Sequence, residues 1–255
     1  MIETWFTAVR KITGDEPRKV YVYVPDRWHQ FPEERYPVLY MFDGHNVFFD
    51  EDATYGKSWG MREYLDAEEV PLIVVAVDCN HHPDNGRLSE YSPFDFSDRS
   101  FGEVKGRGKV FMDWLTRNLK PKIDKRYPTL RGRRNTFIAG SSMGGLMSLY
   151  ALLAYNRVFS RAAALSPSIW VDPRALKELV RTAEVRKGTV LYMDYGSREM
   201  GNHRGIRRGF GQMASLLIDK GLYVNARIVP NGDHCEACWE EQIPFFMQTI
   251  FYERD

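Results

Sequence analysis

Apolar residues occur along this chain in short blocks separated by polar turns, and most blocks have the length of a strand. Continuous apolar or β-branched runs of this length, bounded by turn residues, predict strands buried on both faces of a sheet. Runs of this kind occupy 37–42, 72–77, 136–139 and 162–165, and further strands are predicted over 19–24, 189–193 and 223–229, with a looser alternation over 5–12. The chain is therefore predicted to be rich in buried strands.

A second pattern has the helical period. Between 111 and 119 the apolar residues fall at i, i+3, i+4 and i+8, which is one face of a helix. Pro121 should kink or divide this helix and Pro128 should end it. Further helices are predicted over 58–68 with Ser58 as cap, 146–155, 172–182 with Asp172 as cap, 206–220 and 238–252. The polar stretch from 78 to about 101 is predicted to be a long irregular loop, a feature that is usually functional or mobile.

The order of these elements predicts an α/β fold. Strands and helices alternate in the second half, which indicates a mostly parallel central sheet with helices on both faces, built by right-handed crossovers. The first two strands have no predicted helix between them, so we expect an antiparallel N-terminal edge. The 255 residues, 44% of them hydrophobic, suit a single domain spanning 1–255, and no repeat or linker indicates a second one.

Charge and composition indicate which classes of binding partner to expect. The net charge of +1 gives no reason to expect nucleic acid or an anionic membrane surface. No apolar run approaches the roughly 20 residues that a membrane span needs, no signal peptide is visible at the start, and three cysteines do not make a disulfide framework. We expect a cytoplasmic protein that binds a small molecule and neither nucleic acid nor membrane; a homo-oligomer is left open.

The segment from Gly140 to Gly144 reads G-x-S-x-G and lies between a predicted strand and a predicted helix. In this context a sharp turn displays the central serine above the sheet, and the glycines let neighbouring backbone approach. The pattern favours Ser142 over Ser141 as a nucleophile. A serine hydroxyl needs a base at hydrogen-bond distance.

The predicted base and acid lie further along the chain. Of the six histidines, only His234 directly follows the last predicted strand. An acid that orients it should lie on the loop after the preceding strand. Glu199, beyond the glycine of that loop, is favoured, and Asp194 at the strand end is the alternative.

An oxyanion hole needs two backbone N–H groups aimed at the developing charge. We expect one from Met143, directly after the nucleophile, and one from Gly44 or His45 after the third strand. Asp43 should fix that loop by accepting backbone hydrogen bonds.

Three other motifs contain residues that could bind a metal or a charged group. Cys235 and Cys238 have C-x-x-C spacing but no second pair, so no metal and no cofactor is expected. The pair His81-His82 with Asp84 is interpreted as a polar loop. A small basic group lies near the predicted acid, and we hypothesise that it receives an anionic part of the substrate; it consists of Arg204, Arg207 and Arg208.

Together these pieces resemble the putative-esterase family of α/β-hydrolases, which includes enterochelin, feruloyl and acetylxylan esterases and the mycolyltransferases. The matching segments span nearly the whole chain: 40–48 (YMFDGHNVF), 87–93 (RLSEYSP), 121–128 (PKIDKRYP), 138–145 (IAGSSMGG), 165–170 (LSPSIW), and 232–234 (GDH) with Glu236 and Trp239. Members often carry Asp at the position of the acid, where this chain offers Glu199.

The resemblance implies an α/β-hydrolase fold and a serine carboxylic ester hydrolase that works through an acyl-enzyme. It implies Ser142, His234 and Glu199 as the triad, and Trp170 beside the substrate pocket; Arg87 and Tyr91 are further candidate substrate contacts. An aromatic, sugar-linked or siderophore ester would suit such a protein. An acyltransferase with the same triad, or a non-catalytic binding protein on this fold, is the alternative.

Overall fold

A computed structural model of the chain describes residues 1–201 and 205–251. Its centre is an eight-stranded sheet in the order β1-β2-β4-β3-β7-β8-β9-β10, and β5 and β6 form a separate hairpin. The strands are β1 Ile2–Thr7, β2 Arg18–Tyr23, β3 Val38–Met41, β4 Ile73–Val77, β5 Phe96–Asp98, β6 Gly102–Val104, β7 Thr136–Ser141, β8 Arg161–Leu165, β9 Val190–Gly196 and β10 Tyr223–Val229.

The pairing confirms the predicted architecture. The strand β2 runs antiparallel to both β1 and β4. From β4 to β10 every neighbouring pair is parallel. The carboxyl ends of the six parallel strands therefore meet at one edge of the sheet, where the loops that carry function in such folds are found.

Helices cover both faces of the sheet. Their bounds are α1 Arg10–Thr13, α2 Arg27–Gln30, α3 Met61–Ala67, α4 Gly86–Glu90, α5 Gly108–Trp114, α6 Lys120–Arg126, α7 Met143–Ala154, α8 Pro173–Thr182, α9 Ile206–Asp219, α10 Glu236–Glu240 and α11 Ile243–Ile250. The apolar side chains of α5 to α9 share one core cluster with Val20 and Val22. Those of α3, α10 and α11 share the opposite cluster with Tyr21 and Tyr23. The alternation along β2 places successive side chains on opposite faces, as strand geometry requires.

Two predicted breaks occur where proline chemistry demands them. Pro121 lies in the first turn of α6, after a five-residue π-helical segment, Leu115–Leu119, that separates α6 from α5. The helix α6 ends at Arg126, two residues before Pro128. A proline lacks an N–H and disfavours helical backbone before it, which explains both positions.

Several predicted boundaries were wrong. The stretch 5–12 is a strand only to Thr7 and then becomes α1. The loop 78–101 contains α4 and β5. The cap of α3 is Gly60, with φ of 62°, and not Ser58. The helix predicted over 238–252 is divided into α10 and α11 because Pro244 has no N–H to continue it, and its last residue, Tyr252, lies outside the described residues.

Asp172 caps α8 as predicted, and its carboxylate accepts hydrogen bonds from the backbone N–H groups of Arg174 and Ala175. Over 1–201 and 205–251, no helix is both long and apolar enough to cross a bilayer.

Candidate active site

The turn between β7 and α7 places Ser142 in an uncommon backbone conformation, with φ of 56° and ψ of −119°. Such strain persists only where the surroundings hold it. A Cβ built on Gly140 would lie 2.8 Å from the carbonyl carbon of Gly144, and one on Gly145 would lie 2.8 Å from the oxygen of Leu165. Glycine at these positions allows β7, α7 and β8 to approach closely enough to form the sharp turn.

The loops after β9 and β10 bring Glu199 and His234 together. Glu199 Oε2 lies 2.6 Å from His234 Nδ1. A Cβ on Gly196 would lie 2.2 Å from the carbonyl oxygen of Gly232, so the two loops touch through glycine backbone. Glu199 is only 3% exposed, and its Oε1 accepts hydrogen bonds from the Gly196 N–H and the Ser166 hydroxyl, both at 2.7 Å.

Asp194, the alternative acid, faces a different set of groups. Its carboxylate accepts hydrogen bonds from the Ser166 N–H at 3.0 Å and the Tyr192 hydroxyl at 2.8 Å. Within the described part of the chain it makes no hydrogen bond to His234. Burial raises the pKa of Asp194 to about 7, although the hydrogen bonds from Tyr192 and Ser166 oppose the rise. The geometry therefore favours Glu199 as the partner of His234.

The raised pKa of Asp194 predicts a pH-dependent stability. A carboxyl whose pKa is higher in the folded protein contributes stability at low pH and loses it as pH rises through that value. From pH 4 to pH 7, Asp194 should lower the free energy of unfolding by at most about 4 kcal/mol, since one pKa unit corresponds to about 1.4 kcal/mol. In Asp194→Asn the free energy of unfolding should fall less between pH 4 and pH 7 than in the wild type. Urea unfolding at several pH values measures this free energy. The same pH dependence in the wild type and in Asp194→Asn would contradict the prediction.

Ser166 and Trp239 support the acid, and the sequence interpretation assigned neither a role. Ser166 directly follows β8, has φ of 42°, and donates its hydroxyl hydrogen to Glu199. Trp239 donates its indole N–H to the Ser166 oxygen at 3.1 Å. The Trp239 and His234 rings meet edge to face, with centroids 5.0 Å apart. The sequence feature that could have identified Ser166 as a site residue is its position as a polar residue directly after a buried strand.

The loop after β3 forms a 3-10 turn, Gly44–Asn46, close to the sharp turn at Ser142 between β7 and α7, which we call the elbow. Within the described residues, the backbone N–H groups of Met143, Gly44 and His45 have no hydrogen-bond acceptor. Free N–H groups at the start of a turn or helix are suited to hold an anion. They are the same N–H groups that the sequence predicts as donors of an oxyanion hole.

The loop is fixed by an ion pair rather than by the backbone hydrogen bonds predicted for the Asp43 side chain. Arg87 binds both carboxylate oxygens of Asp43, at 2.6 and 2.7 Å. Asp43 itself has φ of 54°, and its N–H donates to the Tyr91 hydroxyl at 3.2 Å. The prediction that Tyr91 contacts substrate was wrong: it is 0% exposed because it packs under this loop against Phe42.

The close approach at Gly44 predicts a catalytic defect in Gly44→Ala. Its Cβ would lie 2.8 Å from the backbone of Ala76 and Val77, so the loop would have to shift. We expect kcat to fall about 10- to 100-fold with a smaller change in KM, because displaced oxyanion donors act mainly on the transition state. Gly132→Ala is the control, since nothing lies within 4 Å of its Cβ. Equal steady-state constants for both variants would refute the expected role of the loop.

Two cavities meet at Ser142 and His234. One, of about 460 Å³, lies on the side of His45 and His81. The other, of about 580 Å³, lies on the side of Trp170. Arg87 borders both cavities. Trp170 borders the second cavity alone, and a substrate contact by Arg87 or Trp170 stays a prediction.

In the described residues Ser142 Oγ makes no hydrogen bond to His234, and it lies 3.5 Å from Ser168 Oγ. Catalytic hydrogen bonds are often long in the absence of substrate and tighten in the complex.

The remaining candidates are the basic group, the two cysteines and the histidine pair. Arg207 and Arg208 are exposed on α9, and neither is among the described residues that border the two cavities. Arg204 lies outside the described residues. Cys235 and Cys238 are free thiols. His82 lies 3.8 Å from Asp84, whereas His81 belongs to a cluster with His45, Asp78 and Cys79 that the sequence interpretation missed.

Comparison with known proteins identifies the family to which this fold belongs. Residues 12–244 match the model of the family described as Putative esterase. An apo-salmochelin esterase of Escherichia coli is 25% identical over 244 residues, which cover 89% of this chain and 73% of that protein. A siderophore triacetylfusarinine C esterase of Aspergillus fumigatus is 26% identical over 196 residues, covering 72% and 64%. The solved structure titled Enterobactin and Salmochelin Hydrolase IroE superposes with a TM-score of 0.68 at 20% identity, covering 98% of this chain and 95% of that one.

The family match covers most of the chain, and the mostly parallel sheet agrees with the α/β-hydrolase type of its structural relatives. The chain therefore belongs to the Putative esterase family and is a carboxylic ester hydrolase.

Proposed function

We propose that the chain hydrolyses esters through an acyl-enzyme on Ser142, with His234 as general base and Glu199 as the acid that orients it. The observation that carries this proposal is the 2.6 Å contact between Glu199 and His234 beside the strained turn of Ser142. The carboxylate holds the imidazole in the tautomer whose Nε2 accepts a proton.

The reaction proceeds in two halves. Ser142 Oγ attacks the ester carbonyl while its proton moves to His234 Nε2, and the N–H groups of Met143 and of Gly44 or His45 stabilise the oxyanion. The carbon–oxygen bond to the leaving alcohol then breaks, and His234 returns the proton to that alcohol. Water repeats the sequence on the acyl-enzyme, giving the carboxylic acid and restoring the serine.

We propose a siderophore ester as the substrate class. One relative is named as a siderophore triacetylfusarinine C esterase and another as an apo-salmochelin esterase. The two cavities leave room for a bulky group on each side of the scissile bond, since small-molecule sites commonly measure about 300 to 1,000 Å³. One cavity is bordered by hydrogen-bonding side chains such as Asn80 and His81, and the other by the aromatic rings of Phe101 and Trp170.

A substrate panel tests this assignment. The protein is incubated with a catecholate trilactone, a hydroxamate ester siderophore, a feruloyl ester and an acetylated sugar, and the products are identified by mass spectrometry. Hydrolysis of a siderophore with a kcat/KM at least about tenfold above the other two classes supports the proposal, a ratio that corresponds to about 1.4 kcal/mol. A preference for the feruloyl or sugar ester would overturn the substrate class and leave the triad intact.

A further inference from the structure

Four side chains with metal-binding atoms form a cluster beside the first cavity, and three of them border it. The four are His45, Asp78, Cys79 and His81, and one ligand atom from each lies within 4.8 Å of the others. His45 follows β3 and Asp78 follows the adjacent parallel strand β4, so the sheet itself brings them together. Asp78 Oδ1 lies 2.6 Å from His45 Nδ1 and 2.8 Å from His81 Nε2.

Supporting contacts already orient two of these groups. The second ring nitrogen of His45, Nε2, lies 3.0 Å from Thr54 Oγ1. The backbone N–H of Cys79 donates to Asp78 Oδ1 at 2.8 Å. Histidines that bind a metal usually donate their other N–H to a fixed acceptor, and metal-binding carboxylates are themselves hydrogen-bonded. Thr54 offers His45 such an acceptor.

The surrounding charges leave Asp78 without a permanent cation. The neighbouring carboxylates are each paired with one lysine or arginine: Asp43 with Arg87, Glu90 with Arg18, and Asp52 with Lys19. Among the described residues, the salt-bridge partners of Asp78 are only the two imidazoles. With both rings neutral, the cluster carries one uncompensated negative charge, which a divalent cation would offset.

We propose that His45 Nδ1, His81 Nε2 and Asp78 Oδ1 form a binding site for a divalent transition-metal ion, with Zn²⁺ as the best match. Two imidazoles and one carboxylate are a ligand set that zinc uses, and imidazole disfavours Mg²⁺ and Ca²⁺. Binding replaces the contacts between Asp78 and the two rings with bonds to the metal, and it places the remaining proton of His45 on Nε2, facing Thr54. The thiol of Cys79, 3.9 Å from the His81 ring nitrogens, adds a soft donor beside the site.

The site is accessible from solvent. The His81 side chain is 61% exposed, whereas that of His45 is 10% exposed. Both border the first cavity, so an ion can enter without unfolding of the loop. His82 is the next residue along the chain, is also exposed and borders the same cavity, but it is not part of the cluster. His82→Ala is therefore a matched control for His81→Ala.

The experiment measures Zn²⁺ affinity directly. Protein freed of metal by a chelator is titrated with Zn²⁺ against a chromophoric competitor, with and without excess Mg²⁺. We expect one Zn²⁺ per chain in the wild type and in His82→Ala, no competition by Mg²⁺, and affinity at least about tenfold weaker in His81→Ala, because even outer-shell changes cost about 10- to 100-fold. Failure to bind one equivalent, or equal affinity in the two histidine variants, would overturn the site.

Two further measurements separate this site from other sources of binding. Cys238→Ser removes the competing C-x-x-C pair and should leave affinity unchanged; loss of binding in that variant would assign the metal elsewhere. Zn²⁺ should raise the melting temperature of the wild type and of His82→Ala but not of His81→Ala, because a ligand stabilises only the folded state that binds it. The readout is metal binding, so the result does not depend on whether Ser142 is the nucleophile.

Discussion

Replacing Ser142 with alanine is expected to lower kcat/KM for a p-nitrophenyl ester by at least about 10⁴-fold, because loss of a serine nucleophile removes the acyl-enzyme path and leaves only the oxyanion donors and binding. The variant should fold normally. Alanine is smaller than serine, and the only side-chain hydrogen bond of Ser142 within the described chain is the long one to Ser168. Steady-state kinetics and far-ultraviolet circular dichroism of the purified variant measure both expectations.

The adjacent hydroxyl supplies the control. Ser141 ends β7 and is largely buried, so Ser141→Ala removes a hydroxyl of the same size one residue away. It should retain kcat/KM to within about tenfold, a loss of no more than about 1.4 kcal/mol. Full activity in Ser142→Ala, or an equal loss in the two variants, would show that the turn does not present the nucleophile.

Changing Glu199 to glutamine is expected to lower kcat by about 10³- to 10⁴-fold with little change in KM, as expected for an acid that sets the histidine tautomer. The glutamine oxygen can still accept the hydrogen bonds from Ser166 and the Gly196 N–H. Its NH₂ would then face His234 Nδ1 and place the imidazole proton on Nε2, where it blocks proton transfer from Ser142. The fold should survive because the side chain keeps its size.

Asp194→Asn is the matched control for this substitution. It also converts a buried carboxyl group to an amide. Asp194 lies in β9, five residues before Glu199, and has its own hydrogen bonds with Ser166 and Tyr192. Its kcat should stay within about tenfold of the wild-type value, or about 1.4 kcal/mol. A large loss in Asp194→Asn with activity kept in Glu199→Gln would reverse the assignment of the acid.

The inner strands were predictable because they are continuous apolar runs, which burial on both faces requires. The runs at 162–165 and 72–77 differ from β8 and β4 by one residue. The stretch 223–229 coincides with β10, an edge strand that is mostly not buried and contains Asn225 and Arg227. The predicted helix boundaries were wrong where a single backbone property determines them. The missing N–H of Pro244 divided the last helix, and the positive φ of Gly60 moved the start of α3.

The site was predictable where chain order and strand ends determine position. The elbow, His234 and Glu199 all follow parallel strands, so they converge at one edge of the sheet. Tyr91 could not be placed because an aromatic residue in a polar stretch gives no signal of burial; in the structure it packs against Phe42 and accepts a hydrogen bond from the Asp43 N–H. The His45–Asp78–His81 cluster was missed because His45 is distant in sequence from Asp78 and His81 and meets them only through the pairing of β3 with β4.

The most direct test of the proposed mechanism is covalent labelling by a fluorophosphonate, which reacts with a serine only when a base activates it. The labelled protein is digested, and the modified peptide is mapped by mass spectrometry. The proposed triad predicts one label on Ser142 in the wild type, no label in Ser142→Ala, and a labelling rate at least about 10²-fold lower in Glu199→Gln, the lower limit of a general-base contribution. Absence of label on the folded wild type, or label on Ser141, would contradict it.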